Sequence, residues 1–314
     1  MRSDPTQAID AALEAIGVPT PTVLDASASA SRFPDGVAFR IEIPSVEGPA
    51  CLDAVLEEAA TLDVPVRRVS QGSGVSMLTD AELDRMAKAA ADAGVEVSLF
   101  ARPGASWGRS ATARSSAGAA LAAASWGHEQ LRACLDEAMR AAGHGFRSVL
   151  ISDLGVLAAF AELRRTGSLP SDMQAKVSVM AAIGNPATAK LWQDLGANTL
   201  NVPGDLDLGQ LSAMRAAVVV PLDLYIESPD DLGGLIRLHE VADLIRVAAP
   251  IYVKLGLRNA PALYPWGQHL EGAAVAMGRE RVRRARIVME RLERAGVDTR
   301  TSAPGAEGLA VPCP

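Results

Sequence analysis

Residues 221–228, PLDLYIES, alternate strictly, with Asp223, Tyr225 and Glu227 at every second position and Leu222, Leu224 and Ile226 between them. Period-two alternation marks a strand with one apolar and one polar face. Similar short runs recur along the chain: FRIEI (39–43), VRRVSQ (66–71), VSLFAR (97–102), SVLIS (148–152), AKVSVMA (175–181), NTLNV (198–202) and IYVKLGL (251–257). Each is followed by a stretch of helical periodicity. After the second strand, Thr79 caps a helix with Glu82 three residues on, and Gly94 stops it. In NPATAKLWQDLG, proline falls in the first helical turn. DLGGLIRLHEVADLIRVA (231–248) reads as the helix after the seventh strand, and the last helix runs from about 269 to 295.

Eight strands alternating with eight helices predict a single-domain α/β chain folded as a (β/α)8 TIM barrel over residues 37–297. An N-terminal helix and connector (1–36) precede it, and the Pro/Gly-rich segment 298–314 reads as a flexible C-terminal tail. No GxGxxG opens a helix, so a dinucleotide-binding open sheet is not favoured, and QGSGVS (71–76) reads as a shaped loop after the second strand. The 102–127 segment, rich in Ser, Gly and Ala and bracketed by Trp107 and Trp126, reads as a lid over the mouth.

In a closed barrel the apolar strand faces meet the helices, so the polar alternates point to the axis. Applied strand by strand, this places Arg40 and Glu42, Ser98 and Arg102, Lys176 and Ser178, and Asn201 inside, with Asp223, Tyr225, Glu227, Tyr252 and Lys254. Buried charges need partners, so these groups are expected to pair with one another. Arg40, Lys176, Asp223 and Tyr252 form a lower layer that reads as a structural ion-pair plug. Glu42, Arg102, Asn201, Glu227 and Lys254 lie at the C-terminal strand ends, where barrel enzymes keep their sites.

Strand order makes Glu227 and Lys254 neighbours. Glu42 and Glu227 are the expected acid/base pair, with Lys254 as a third catalytic group. Lys254 and Arg102 are expected to bind negative charge, and Asn201, Asp223 and Tyr225 to contact the substrate. Arg258 is a further anion anchor or else a solvated loop residue, and His269 either overhangs the mouth or starts the last helix. A lysine among apolar walls also serves Schiff-base chemistry, which makes a lyase or aldolase working through Lys254 the alternative to a hydrolase. A silent barrel that binds a metabolite or a partner subunit is the third reading.

The net charge of −7 argues against a nucleic-acid surface. No run of about 18 apolar residues or signal-type leader is present, so a cytoplasmic protein without membrane contact is expected. Cys51, Cys134 and Cys313 have no CxxC spacing and read as buried free thiols. The four histidines offer no HxH or HExxH spacing, so no cofactor is expected, although Glu42, Asp153 and Glu227 could hold a divalent metal. The expected partner is a small polar or anionic substrate, with homo-oligomerisation left open.

The segment from Ser178 to Ser228, SVMAAIGNPATAKLWQDLGANTLNVPGDLDLGQLSAMRAAVVVPLDLYIES, resembles the central part of the peptidase U32 family. ISDLGVLAAFAEL (151–163) is similar to the unit before it, and the resemblance extends over most of 37–257. It implies a U32-like barrel, nominally a peptidase or other hydrolase. Members of that family typically follow the seventh strand with a cysteine-bearing stretch, and some hold an iron-sulfur cluster. Here that place reads SPDDLGGLIRLHE without a cysteine, so no cluster is expected.

Overall fold

The computed structural model describes residues 5–19, 27–102, 115–116 and 122–314. The strands are β1 (Phe39–Pro44), β2 (Val66–Ser70), β3 (Glu96–Phe100), β4 (Ser148–Ile151), β5 (Gln174–Val177), β6 (Thr199–Val202), β7 (Leu222–Glu227) and β8 (Ile251–Leu255). They pair in parallel, in sequence order, and β8 returns to β1 to close the barrel. A short helix, α1 (Pro5–Ala15), precedes β1. The outer layer is α2 (Gly48–Thr61), α3 (Asp80–Ala93), α4 (Gly127–Gly143), α5 (Leu154–Arg165), α6 (Pro186–Asp194), α7 (Leu208–Ala217), α8 (Val241–Ala248) and α9 (Glu271–Arg294). Most of the expected lid, residues 103–114 and 117–121 with Trp107, lies outside the described residues.

The strand alternation works as read from the sequence. Phe39, Ile41 and Ile43 of β1 and Leu222, Leu224 and Ile226 of β7 are fully buried in the apolar layer between strands and helices, and every other strand contributes to that layer. Each such side chain contributes roughly 1.5–3 kcal/mol when fully buried. Local signals fix the helix ends: Thr79 and Glu82 form a reciprocal capping box, Gly94 ends α3 at φ 61°, and Asn185 caps α6 ahead of Pro186. The helix expected over 231–248 begins only at Val241. Gly233 and Gly234 take left-handed φ values of 94° and 62°, which break a right-handed helix. The freed segment instead returns antiparallel to β7, bridging Ile236 to Glu227.

The C-terminal segment is not the flexible tail its composition suggests. It crosses the bottom of the barrel and is tied down at each step. Gly305 N donates to Gly94 O, Gln174 Nε2 to Gly308 O, Ala310 N to Glu96 Oε2 and Cys313 N to Gly145 O. It also serves Arg40, which is fully buried. Arg40 Nε donates to Ser302 Oγ at 2.6 Å, Nη2 to Glu307 O at 2.8 Å and Nη1 to the Tyr252 hydroxyl at 3.1 Å. Phe33 of the N-terminal connector stacks under that guanidinium, 4.1 Å from its ring centroid. A buried guanidinium needs acceptors, and the tail supplies two of them. Cys51 and Cys134 are buried as expected, whereas Cys313, in the tail, is exposed. Among the described residues no helix is long and apolar enough to cross a membrane.

Ser302→Ala leaves Arg40 Nε a buried charged donor without its acceptor. It is expected to lower stability by about 1–3 kcal/mol, read as a shifted urea midpoint at constant m. An unchanged midpoint would show that the tail contributes nothing to holding Arg40.

Candidate active site at the barrel mouth

The middle of the barrel holds a closed set of ion pairs. Glu42, from β1, is fully buried. Its Oε1 accepts from Ser70 Oγ at 2.8 Å and lies 3.2 Å from Lys254 Nζ, while Oε2 accepts from Lys176 Nζ at 2.8 Å and from Arg68 Nη1 at 3.4 Å. Asp223 accepts from Arg68 Nη1 at 3.1 Å, from Thr199 Oγ1 at 3.2 Å and from Lys176 Nζ. Arg68 Nε pairs with Glu96 at 2.9 Å, and the guanidinium stacks 3.4 Å from the Tyr252 ring centroid. Three cations, Arg68, Lys176 and Lys254, thus meet three carboxylates, Glu42, Asp223 and Glu96.

Burial alone would push the Glu42 carboxyl up, but Lys176, Lys254 and Arg68 together outweigh it and hold the group well below the usual carboxylate range. Burial draws the pKa of Lys176 down against the pull of Asp223 and Glu42. It also pushes the Tyr252 phenol up to about 12, so that residue is a neutral donor or acceptor within the plug.

Above this layer, at the C-terminal ends of the strands, a cavity of about 330 Å³ opens. Its polar wall is made by Arg102, Tyr225, Tyr264, Ser45, Ser178 and Asp231, and its apolar wall by Phe100, Leu150, Val179, Met180 and Leu232. Tyr225 joins the two layers: its ring lines the cavity, and Lys254 Nζ sits 4.3 Å from the ring centroid. Burial pushes the Tyr225 phenol well above its ordinary value, which keeps it a neutral hydrogen-bond donor. Ser45, just past β1, holds the left-handed backbone at φ 58°, uncommon for a residue with a side chain, and its Oγ lies 2.5 Å from the Tyr264 hydroxyl.

Two carboxylates set the loop that carries this wall. Glu47 accepts from Gly72 N at 2.6 Å and Ser73 N at 3.3 Å, and Glu137 accepts from Val75 N at 2.9 Å, Ser76 Oγ at 2.7 Å and Arg102 N at 3.3 Å. Arg102 Nη1 in turn donates to Gly72 O at 2.8 Å. The glycine at 72 is required by packing: a Cβ there would lie 2.5 Å from the Tyr264 ring. QGSG is therefore a loop shaped by Glu47, Glu137 and Tyr264, as its failure to match the dinucleotide spacing suggests.

The structure brings together some of the expected site residues and separates others. Arg102 and Tyr225 line the cavity. Glu42, Lys254 and Asn201 lie beneath it; in the amide orientation that satisfies both groups, Asn201 accepts from Lys254 Nζ at 2.7 Å and donates to Asp223 O at 3.2 Å. Asp223 belongs to the plug and is not among the residues that line the cavity.

Glu227 is not the partner of Lys254. In the regular register of β7 and β8 Lys254 lies opposite Tyr225, while Glu227, past a register shift, lies opposite Leu255, and the Glu227 carboxylate is taken by Arg258 N at 3.2 Å and Arg284 Nε at 3.4 Å. The side chain of Arg258 is exposed and turns toward Asp230, 3.8 Å away, rather than into the cavity. His269 is exposed in the single turn of 3-10 helix that starts α9, also outside the cavity wall. Asp153 caps α5, accepting from Val156 N and Ser125 N, so the trio Glu42, Asp153 and Glu227 is not assembled. Among the described residues no three His, Cys, Asp or Glu side chains cluster as a metal site.

Several contributors escaped the sequence reading, Asp231 of the cavity wall among them. Arg68 sits in the doublet Arg67–Arg68, where alternation does not say which member faces inward, and Glu96 lies one residue before the strand as read. Ser45 and Tyr264 come from loops, where no period applies.

No family model matches the chain, and no curated protein does. Solved structures to which the chain is similar include the U32 peptidase Mk0906, at 19% identity over 60% of this chain and 69% of that one, with a TM-score of 0.40. A lyase/mutase described as putative from Burkholderia cenocepacia J2315 matches at 18% identity over 85% and 88% of the two chains, TM-score 0.45. A 2,3-dimethylmalate lyase of the PEP mutase/isocitrate lyase superfamily matches at 14% identity over 86% of each, TM-score 0.45. Likenesses of this degree bear on neither reaction nor substrate.

Glu42→Gln removes the charge that three buried cations share and is expected to cost about 3–5 kcal/mol at neutral pH. Because the folded-state pKa lies below the ordinary 4.5, the contribution of Glu42 is fully present above that value and drains away as pH falls beneath it. The variant should therefore flatten the acid limb of the stability-pH profile. An acid limb as steep as that of the wild type would refute the assignment.

Proposed function

We propose that the protein is a barrel enzyme acting on a small molecule that carries a carbonyl group, an anionic group and an apolar portion, bound in the mouth cavity. The observation that carries this reading is the make-up of the cavity wall: one guanidinium and several hydroxyls face an apolar side at the C-terminal strand ends. Arg102 grips the anionic group, since a planar guanidinium suits a carboxylate or phosphate. Tyr225 donates to the carbonyl oxygen, and the Ser45–Tyr264 pair supplies a second hydroxyl donor. Phe100, Leu150, Val179 and Met180 receive the apolar portion.

The reaction we favour is hydrolysis. Asp231, the carboxylate in the cavity wall, takes a proton from water as the water oxygen bonds to the carbonyl carbon. Tyr225 stabilises the charge that builds on oxygen. The bond to the leaving group then breaks, and the leaving group receives the proton from Asp231. Glu42 and Glu227 are committed to ion pairs and take no part in this scheme. One observation favours a second reading, a lyase working through Lys254: its ammonium lies directly behind the Tyr225 ring, next to the cavity. Its pairing with Glu42 and Asn201 holds it back from a carbonyl in the described arrangement. Borohydride trapping that disappears in Lys254→Ala would establish the lyase.

A thermal-shift screen of carboxylate-bearing esters and amides tests the binding half of the proposal. A true ligand at a hundredfold its Kd is expected to add about 2.7 kcal/mol to the wild type, and Arg102→Ala to weaken it at least tenfold. With a substrate in hand, Tyr225→Phe should lower kcat by roughly 10²–10³ with little change in KM. Ligands that bind Arg102→Ala as tightly as the wild type would overturn the assignment.

A further inference from the structure

We propose that the barrel interior between β2, β3 and β4 is a binding site for ordered water, sealed beneath the mouth cavity. Ser98 of β3 and Ser148 of β4 are direct partners across the sheet, and both are fully buried. Neither hydroxyl has a hydrogen-bond partner among the described residues, and the same is true of Arg68 Nη2 on the neighbouring strand. Glu96, opposite Arg68 in register, has one oxygen 2.9 Å from Arg68 Nε, but the pair is not aligned as a hydrogen bond. Buried polar atoms are nearly always satisfied, and several unsatisfied ones on three consecutive strands point to a shared non-protein partner. The next inward residues on the same strands, Phe100 and Leu150, line the mouth cavity and stand between it and the serines.

The chemistry of these atoms selects the ligand. Arg68 Nη2 only donates and the Glu96 oxygen beside Arg68 Nε only accepts, while the two serines do either. A ligand that serves all of them must both accept and donate. The ion cluster around them is already balanced, with Arg68, Lys176 and Lys254 against Glu42, Asp223 and Glu96. An added anion or cation would be an uncompensated buried charge, which is costly, whereas water adds none. Neutral water fits both conditions.

A high-resolution crystal structure of the full chain, with a bromide soak of a second crystal, tests the site directly. The expected result is buried density within hydrogen-bond distance of Ser98 Oγ or Ser148 Oγ, without bromide anomalous signal. Density that takes up bromide would make the ligand an anion and overturn the proposal, as would serine hydroxyls found bonded to protein acceptors with nothing between them. Deuterium magnetic relaxation dispersion provides an independent readout, because water sealed in this place exchanges slowly. The Ser98→Ala/Ser148→Ala variant is expected to lose the signal of at least one long-lived water per molecule, and an undiminished signal from the folded variant would also overturn it. Should the variant not fold, the crystal structure of the wild type decides alone.

Discussion

The molecule depends on the mutual neutralisation of charges along the barrel axis. Glu42 and Asp223 share Lys176 and Arg68, Glu96 holds the far side of Arg68, and Lys254 closes the set at the top. Removing any one of these charges from water is expensive, and only close, well-directed partners offset it. Barrel interiors are ordinarily filled by layers of branched apolar side chains. Here the same space is filled by six charges, so the strand register is constrained by electrostatics as well as by packing. A slip of one residue would turn a charged side chain into the apolar layer beneath the helices.

This constraint divides the interior into two functions. Charges in the middle layer neutralise one another and act as a rigid platform. Groups in the layer above, Arg102, Tyr225, Tyr264, Ser45 and Asp231, face an open volume. Tyr225 belongs to both, one face of its ring against Lys254 and its body in the cavity wall. The carboxylates Glu47 and Glu137 perform for the second loop what the ion cluster performs for the strands, using backbone N–H groups in place of cations. A site built this way is held in shape before any ligand arrives, which lowers the ordering cost of binding.

Much of this was legible in the sequence, for physical reasons that can be named. The eight βα units were visible because each strand must hide an apolar face, and strands such as β7 show that face at every second residue. The inward direction of Arg40, Glu42, Lys176, Asp223 and Lys254 followed from the same rule. What alternation could not convey was pairing. Lys254 lies opposite Tyr225 and Glu227 opposite Leu255, a register that leaves no trace in the residue types. Arg258 and His269 lie past the strands, where chain direction rather than periodicity decides the contacts, and both face outward. The helix after β7 was read too long because its hydrophobic spacing runs through two glycines whose backbone turns the other way. The C-terminal segment has the composition of a frayed end, and only its contacts with Arg40, Gly94 and Gly145 show otherwise.

The closed floor has a kinetic meaning. With Arg40 held between Phe33 and Tyr252, and the C-terminal segment laid across it, the described residues close the lower end of the barrel. A ligand of the proposed cavity would then come and go at the upper end, and in the proposed reaction what has been made would compete with what is waiting to enter.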